Sequence, residues 1–88
     1  MEKIVINRPY GGFHLGSGFV QAYDLKSPYI SIERDDKDLV AWVEAHPDDN
    51  PDLHVVEIPD EATDYTINEY DGAENVIMVI DGKLVWRA

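Results

Sequence analysis

The sequence contains no cysteine. A disulfide, a zinc site built on thiolates and a cysteine nucleophile are therefore all excluded. The chain also lacks any apolar run near the roughly 18 residues that a membrane-spanning helix needs. Its start, MEKIVIN, has too short an apolar run for a secretory signal peptide. We therefore expect a protein without a membrane segment that works in a reducing cytoplasm.

Basic residues are scarce. Seven Lys and Arg side chains face eighteen Asp and Glu, which gives a formal net charge of −11. The acids concentrate between residues 33 and 74, where fifteen of them accompany two bases, whereas residues 1–32 and 75–88 each carry a net charge of +1. A negative field of this size repels phosphate backbones, so direct DNA binding is not expected. It attracts basic protein surfaces or cations, unless it serves only solubility.

The first half of the chain predicts alternating strands and helices. At 88 residues and 44% hydrophobic content, the protein is expected to be a single domain spanning 1–88. Lys3–Asn7 alternates apolar residues as a strand does. SGFVQAYDL predicts a helix over Ser17–Leu25, with Ser17 as its N-cap residue. Ser27–Glu33, SPYISIE, is predicted to be a second strand.

The segment RDDKDLVAWVEAHP has the clearest helical pattern. Asp35 or Asp36 can cap the helix, and Pro47 ends it because the residue before a proline avoids the helical region. At helical spacing, one face of this helix carries Leu39, Trp42, Val43 and His46. We expect the first three of these side chains to pack into the core.

The C-terminal half predicts strands. Leu53–Ile58 is expected to be a strand buried on both faces, and Asp64–Tyr70 to be another. Two apolar runs flank Asp81–Gly82, the dipeptide that a type I′ hairpin turn favours. The element order is then roughly β-α-β-α-β-β-β-β. We predict an α+β fold with a single antiparallel-rich sheet and two helices on one face.

Motifs of known chemistry are absent from the sequence. It has no P-loop, zinc-finger spacing or nucleophile elbow. His14, His46 and His54 fall in different predicted elements. Asp48–Asp52 is rich in oxygen ligands but lacks the EF-hand layout, and a solvated acidic loop is the simpler interpretation. We therefore predict no metal site, no cofactor and no enzymatic activity.

The N-terminal segment Asn7–Phe19, NRPYGGFHLGSGF, contains four of the six glycines. Gly11–Gly12 can adopt backbone conformations closed to other residues, and a loop leading into a helix start presents free N–H groups to an anion. Arg8 could clamp that anion while Tyr10 or Phe13 stacks on a base. Alternatively, the glycine pair makes a tight turn and both aromatic rings fill the core. Spacing alone favours this structural interpretation.

Four segments, INRPYGGFHL, IERDDKDLVAWVE, VVEIPD and INEYDG, together resemble a family of small proteins encoded by tailed bacteriophages and prophages. Such proteins typically open on Asn-x-x-Tyr-Gly-Gly-Phe-x-Leu-Ser, begin a helix at Arg-Asp-Asp, turn at Ile-Pro-Asp and close on Glu-Tyr-Asp-Gly. The likeness runs in order along nearly the whole chain. It departs at Gly16, which separates Leu15 from the serine, and in a shorter stretch before Ile30.

This family is similar to phage proteins that counter host defence, including sponges that sequester nucleotide immune signals such as cyclic ADP-ribose isomers or cyclic oligonucleotides. The resemblance implies a non-enzymatic protein of the host cytoplasm that binds a nucleotide-type small molecule. The ligand-binding residues that it implies are Asn7, Arg8, Tyr10, Gly11, Gly12, Phe13 and Ser17, with Arg34 and Arg87 as further phosphate contacts.

Two other functions stay open. The protein could be an acidic inhibitor that covers a basic face of a host defence protein such as a CRISPR effector. It could instead be a structural or assembly protein of the phage particle, for which a homo-oligomer is possible. The sequence supplies the acids that an inhibitor needs more plainly than the converging bases that a sponge needs. The acidic partner surface would use Asp48, Asp49, Asp52, Asp60, Glu61 and Asp64.

Overall fold

Two sheets and two helices make up the described part of the chain. In a computed structural model that describes residues 2–87, the elements follow in the order β1 (Glu2–Asn7), α1 (Ser17–Ala22), α2 (Lys37–Ala45), β2 (Leu53–Ile58), β3 (Ala62–Tyr70), β4 (Ala73–Ile80) and β5 (Lys83–Arg87). β1 and β2 pair antiparallel in a two-stranded sheet, and β3, β4 and β5 form a separate antiparallel sheet in that order. The α+β class is therefore confirmed, whereas the prediction of a single sheet is wrong.

The β1–β2 sheet is the middle of three layers. Ile4 pairs with Val56, and both side chains pack against β3 and β4. Val5 pairs with Val55 on the other face, which packs against both helices. Because successive residues of a strand point to opposite faces, a continuous apolar run serves two cores at once. One core is built on Ile4, Ile6, Val56, Ile58, Val76 and Met78, and the other on Val5, Leu15, Phe19, Leu39, Val40 and Leu53.

The second helix forms where the sequence predicts it. Asp36 is the N-cap residue, and its carboxylate accepts a hydrogen bond from the N–H of Leu39 at 3.0 Å. Leu39 is buried, whereas Trp42 and Val43 are half-buried and pack against the helical core. His46 is the C-cap residue and is exposed. The predicted core face is thus correct for Leu39 and only partly so for Trp42 and Val43.

The predicted strand over Ser27–Glu33 is wrong. Its start is taken by a local turn, in which the N–H of Tyr29 donates to the Ser27 hydroxyl at 3.0 Å. Pro28 has no N–H, and its carbonyl accepts from the N–H of Leu15 at 2.8 Å. The local bond to Ser27 competes with a strand ladder, and Pro28 has no N–H to offer one. The segment therefore crosses the helical side without joining a sheet, and the observed order is β-α-α-β-β-β-β.

Both Asp-Gly dipeptides form two-residue hairpin turns. Asp81 and Gly82 have φ of 57° and 73°, and Asp71 and Gly72 have φ of 53° and 89°. Positive φ at both central residues is the signature of a type I′ turn. The predicted C-terminal hairpin around Asp81–Gly82 is confirmed. Over residues 2–87, neither helix has the length and apolar character needed to cross a membrane.

Candidate functional site

The glycine loop, Asn7–Phe19, is anchored on the turn between β3 and β4. Gly11 and Gly12 have φ of 116° and 91°. These are backbone conformations that other residues rarely adopt, as predicted for the glycine pair. The N–H of Gly11 donates to the carbonyl of Asp71 at 3.4 Å. A Cβ at Gly72 would overlap the backbone of both Gly11 and Gly12, so the loop and the turn can approach closely because Gly72 has no side chain.

Asn7 closes the start of this loop. Its side-chain amide donates at 2.8 Å to the carbonyls of both Pro9 and Gly72, and its own N–H donates to a carboxylate oxygen of Glu74 at 2.8 Å. Asn7 is 1% exposed, and within residues 2–87 its carbonyl oxygen Oδ1 has no hydrogen-bond partner. The structure therefore uses Asn7 to hold the loop on the hairpin, with its side chain out of reach of solvent.

Arg34 is bound by a protein carboxylate. Its guanidinium donates to the two carboxylate oxygens of Glu74 at 2.6 and 2.8 Å, and to the carbonyl of Val5 at 3.2 Å. It also lies over the Phe13 ring, with its Cζ 3.7 Å from the ring centroid. Such a bidentate pair already uses the fork that would bind a phosphate. Arg34 therefore lies against Phe13 of the glycine loop, where it supports the loop and has its guanidinium already paired with Glu74.

The start of α1 is also bound by a carboxylate. Asp49 accepts hydrogen bonds from the N–H groups of Gly18 and Phe19, at 2.8 and 3.1 Å, and from the indole of Trp42 at 2.9 Å. Free N–H groups at a helix start are the groups that would attract an anion. The sequence-based expectation of a free helix start is therefore not met, because Asp49 fills that place.

Ser17 does not act as the N-cap residue of α1. The N-cap residue is Gly16, which has no side chain to accept a hydrogen bond from the first turn of the helix. A Cβ at Gly16 would overlap the Asp49 carboxylate, and one at Gly18 would lie 2.8 Å from it. The two glycines flanking Ser17 thus admit a side chain from elsewhere in the fold, while Ser17 itself is exposed.

The hydrogen bonds to Asp49 change its ionisation. Burial raises the pKa of Asp49, but the hydrogen bonds from Gly18, Trp42 and Phe19 outweigh it, so this pKa lies below its ordinary value. Nearby His46 lowers the pKa of Asp49 further. The carboxylate is therefore held in its charged form, the form that accepts all of these hydrogen bonds.

The remaining residues of the predicted ligand site are exposed but do not converge. Arg8 and Tyr10 are exposed on the loop. The rings of Tyr10 and Tyr70 pack edge-to-face, with their centroids 6.5 Å apart. Arg87 is exposed on β5, opposite Val76, and donates to the carbonyl of Trp86. Beside the loop is a shallow pocket of about 480 Å³, lined by Tyr10, Gly11, Gly12, Glu69, Asp71 and Gly72. The carboxylates of Glu69 and Asp71 in this lining would repel a phosphate group.

The residues predicted to face a basic partner divide into two groups. Asp48, Asp49 and Asp52 follow α2, and of these Asp48 is exposed while Asp49 is used internally. The backbone carbonyl of Asp52 accepts from the N–H of Arg8, which ties this segment to the glycine loop. The second group is exposed around the start of β3 and consists of Asp60, Glu61 and Asp64.

This second group borders an acidic cleft. The cleft has a volume of about 340 Å³ and is lined by Glu2, Ile58, Pro59, Asp60, Ala62, Thr63, Asp64 and Tyr65. The Tyr65 hydroxyl donates to the Glu2 carboxylate at 3.5 Å. Burial, then the negative charges of Glu2, Asp35 and Glu33, raise the pKa of Tyr65. The cleft thus lies in a locally negative field.

Three of these features could not be found by sequence reasoning. Neither the Arg34–Glu74 pair nor the Asp49 contact with α1 has a signal in residue spacing, because 40 and 31 positions separate the partners. Tyr65 is not part of any recognisable sequence motif.

Within residues 2–87, no group of three or more His, Asp or Glu side chains is placed to hold a metal ion.

Comparison with protein-family models, with curated proteins and with solved structures finds no significant match to this chain. The resemblance to small phage proteins therefore rests on the sequence segments alone and stays a prediction.

Proposed function

We propose that this protein is a non-enzymatic, phage-type protein that counters host defence by binding a basic surface of a host protein. The observation that carries the proposal is the internal use of the best anion-binding groups. Arg34 binds Glu74, and the first N–H groups of α1 bind Asp49. What remains at the surface is mainly negative charge, since eighteen acids face seven bases along the chain.

The acidic cleft supports the same proposal. Glu2, Asp60 and Asp64 line it, and no Lys or Arg is among its lining residues. A Lys or Arg side chain that enters the cleft would meet several carboxylates, which favour association with a basic partner through both encounter rate and specificity. Covering a basic surface needs no reaction chemistry, so the proposal requires no catalytic residue.

A binding measurement with a defined cation tests this proposal. A nona-arginine peptide should bind the protein in a salt-dependent manner, whereas a nona-glutamate peptide should not. The double variant Glu61→Gln with Asp64→Asn should weaken binding more than Asp24→Asn with Asp38→Asn, which removes the same charge elsewhere. Equal weakening by the two double variants would show that net charge alone attracts the peptide, and no binding at all would refute the proposal.

The nucleotide sponge is the second candidate function. The exposure of Arg8 and Tyr10 beside the pocket at the glycine loop favours it. If the loop binds a phosphate, Arg8→Ala should remove a charge-assisted hydrogen bond and weaken binding by roughly 1.5–3 kcal/mol with the fold intact. Calorimetry of both forms against cyclic nucleotides and ADP-ribose derivatives tests this. Absence of binding, or equal binding by Arg8→Ala, would count against the loop as a ligand site.

A further inference from the structure

The chain contains two Asp-Gly dipeptides, Asp71–Gly72 and Asp81–Gly82, and no Asn-Gly. An aspartate isomerises most readily before glycine, because no side chain hinders attack by the glycine nitrogen on the aspartate carboxyl group. Both dipeptides occupy the two central positions of a type I′ turn. Since they share the same residues and the same turn type, a difference in their reactivity must come mainly from the surrounding fold.

The isomerisation proceeds through a five-membered ring. The glycine nitrogen loses its proton and bonds to the aspartate Cγ, while a carboxyl oxygen leaves as water and a succinimide forms. Water then opens the ring. Opening at the former backbone carbonyl gives an isoaspartate, in which the chain runs through Cβ and Cγ and the mass of the protein is unchanged. The reaction needs no oxidant or enzyme, but it needs a free glycine nitrogen and a turn that can change its dihedral angles.

The glycine loop and a neighbouring glutamate restrain the turn between β3 and β4. The N–H of Gly72 donates to a carboxylate oxygen of Glu69 at 2.6 Å, so the nitrogen that would attack is already engaged. The Gly72 carbonyl accepts from the buried Asn7 side chain at 2.8 Å, and the Asp71 carbonyl accepts from the N–H of Gly11 at 3.4 Å. These contacts oppose both the attack and the change of turn geometry.

The turn between β4 and β5 lacks these restraints. Asp81 and Gly82 are exposed, and among residues 2–87 no hydrogen bond or ion pair reaches either of them from outside β4 and β5. A Cβ at Gly82 would meet nothing within 4 Å, whereas one at Gly72 would overlap the glycine loop. Within the described chain, β5 pairs with β4 alone. The turn can therefore open together with the end of this hairpin.

We propose that Asp81–Gly82 is a site of spontaneous isoaspartate formation, and that the fold protects Asp71–Gly72 from the same reaction. The modification acts on β5. A type I′ turn joins the closing pair of Ile80 and Lys83 through two residues of ordinary length, and isoaspartate adds one atom to that connection. The closing pair then loses its geometry and β5 is released. This inference is independent of the proposed function.

Peptide mapping of the wild type, incubated in its native state at mildly acidic pH, tests the proposal. Cleavage after glutamate separates the two dipeptides into residues 70–74 and 75–88. Isoaspartate is recognised by a chromatographic shift at unchanged mass and is assigned by electron-transfer fragmentation. We expect it to accumulate at Asp81 at least about tenfold faster than at Asp71, whose neighbouring glycine nitrogen must first leave a carboxylate. An equal or faster rate at Asp71 would overturn the proposal.

The same measurement in urea is the control for the fold. In the unfolded chain the two dipeptides should isomerise at similar rates, because the contacts that protect Asp71 are lost. A rate ratio in urea equal to the native one would show that sequence neighbours set the rates, and would overturn the protection. Formation at Asp81 in urea alone, with none in the native protein, would refute the site. Glu69→Ala should raise the native rate at Asp71 and leave that at Asp81 unchanged, and no rise would overturn the role of Glu69.

Hydrogen exchange measures the structural consequence. In the isomerised fraction, exchange over Lys83–Arg87 should rise by about tenfold or more, whereas β1 and β2 should keep their protection. Asp81→Glu, whose longer side chain would have to close a six-membered ring, should lack the modified species, and the matched variant Asp71→Glu should retain it. The opposite pattern in these two variants would refute the assignment to Asp81. Unchanged protection of β5 in the isomerised fraction would overturn its inferred release.

Discussion

The carboxylate of Asp49 accepts a hydrogen bond from the N–H of Gly18 at 2.8 Å, although 31 positions separate the two residues. This contact joins the loop after α2 to the first turn of α1. It satisfies backbone groups that a six-residue helix would otherwise leave without a partner. The short helix α1 therefore depends for its start on a residue from a different part of the chain.

Replacement of Asp49 should destabilise the fold. Asp49→Ala removes the acceptor of two backbone N–H groups and of the Trp42 indole. We expect a loss of about 1–3 kcal/mol in the free energy of unfolding, measured by urea denaturation. Asp48→Ala, at an exposed neighbour, is the control and should change this free energy by less than about 0.5 kcal/mol. Equal stability of the two variants would contradict the role assigned to Asp49.

The contribution of Asp49 should depend on pH in the acid range. Its pKa is lower in the folded protein than in the unfolded chain, so the folded state favours the charged form. The stabilisation is then complete above the ordinary pKa of Asp, near 4, and is lost as the pH falls through the lower pKa of the folded state. The difference in stability between wild type and Asp49→Asn should shrink below about pH 4. A difference that stays constant down to pH 2 would contradict this assignment.

Gly16→Ala should destabilise the protein because of Asp49. The φ of Gly16 is −70°, which alanine adopts readily, so backbone strain is not the cause. The added methyl group would instead overlap the Asp49 carboxylate, and such overpacking costs typically about 1–3 kcal/mol. In an Asp49→Ala background this cost should disappear. A double-mutant cycle measures the coupling, and additive effects would show that the two residues act independently.

The Arg34–Glu74 pair should be a major support of the glycine loop. The Glu74 side chain is 7% exposed and that of Arg34 is 26% exposed. Glu74→Ala leaves a partly buried guanidinium without its carboxylate. We expect the free energy of unfolding to fall by about 3 kcal/mol, the lower end of the cost of removing one partner of a buried ion pair. Thermal unfolding measures the loss, and hydrogen exchange at Gly11 and Gly12 should rise with it.

The control for this prediction is the exposed pair of Lys3 and Glu44, whose side chains are 40% and 45% exposed. Glu44→Ala should leave the melting temperature nearly unchanged, because solvent screens exposed ion pairs. A loss for Glu74→Ala no greater than that for Glu44→Ala would show that the buried pair is not a support of the loop.

Several elements of the fold could be predicted because their causes are local. The strand Leu53–Ile58 has the predicted bounds, since its run of apolar residues lies between breakers. Asp36 caps a backbone group only three positions ahead. The turn at Asp81–Gly82 needs positive φ, which Asp and Gly tolerate better than most residues. Local competition also defeated one prediction, since the hydroxyl of Ser27 bonds the chain into a turn where an apolar pattern predicted a strand.

In the candidate site too, features with local causes could be predicted and features that depend on distant residues could not. The positive φ of Gly11 and Gly12 follows from their sequence, because a glycine pair after a strand predicts a turn. The sequence could not show that Gly16 and Gly18 leave room for Asp49, or that Glu74 neutralises Arg34. Each of these depends on residues that only the folded chain brings together.

The sequence by itself determined the α+β class, the helix over α2, the C-terminal hairpin and the acidic charge, because composition and short-range periodicity specify them. The tertiary structure decided how the strands divide between two sheets, since apolar runs such as Ile4–Ile6 can be buried in either arrangement. It also decided which charges are left for a partner. The carboxylates of Asp49 and Glu74 bind Gly18 and Arg34, which lie 31 and 40 positions away in the chain. Residue spacing gives no indication of contacts at that range.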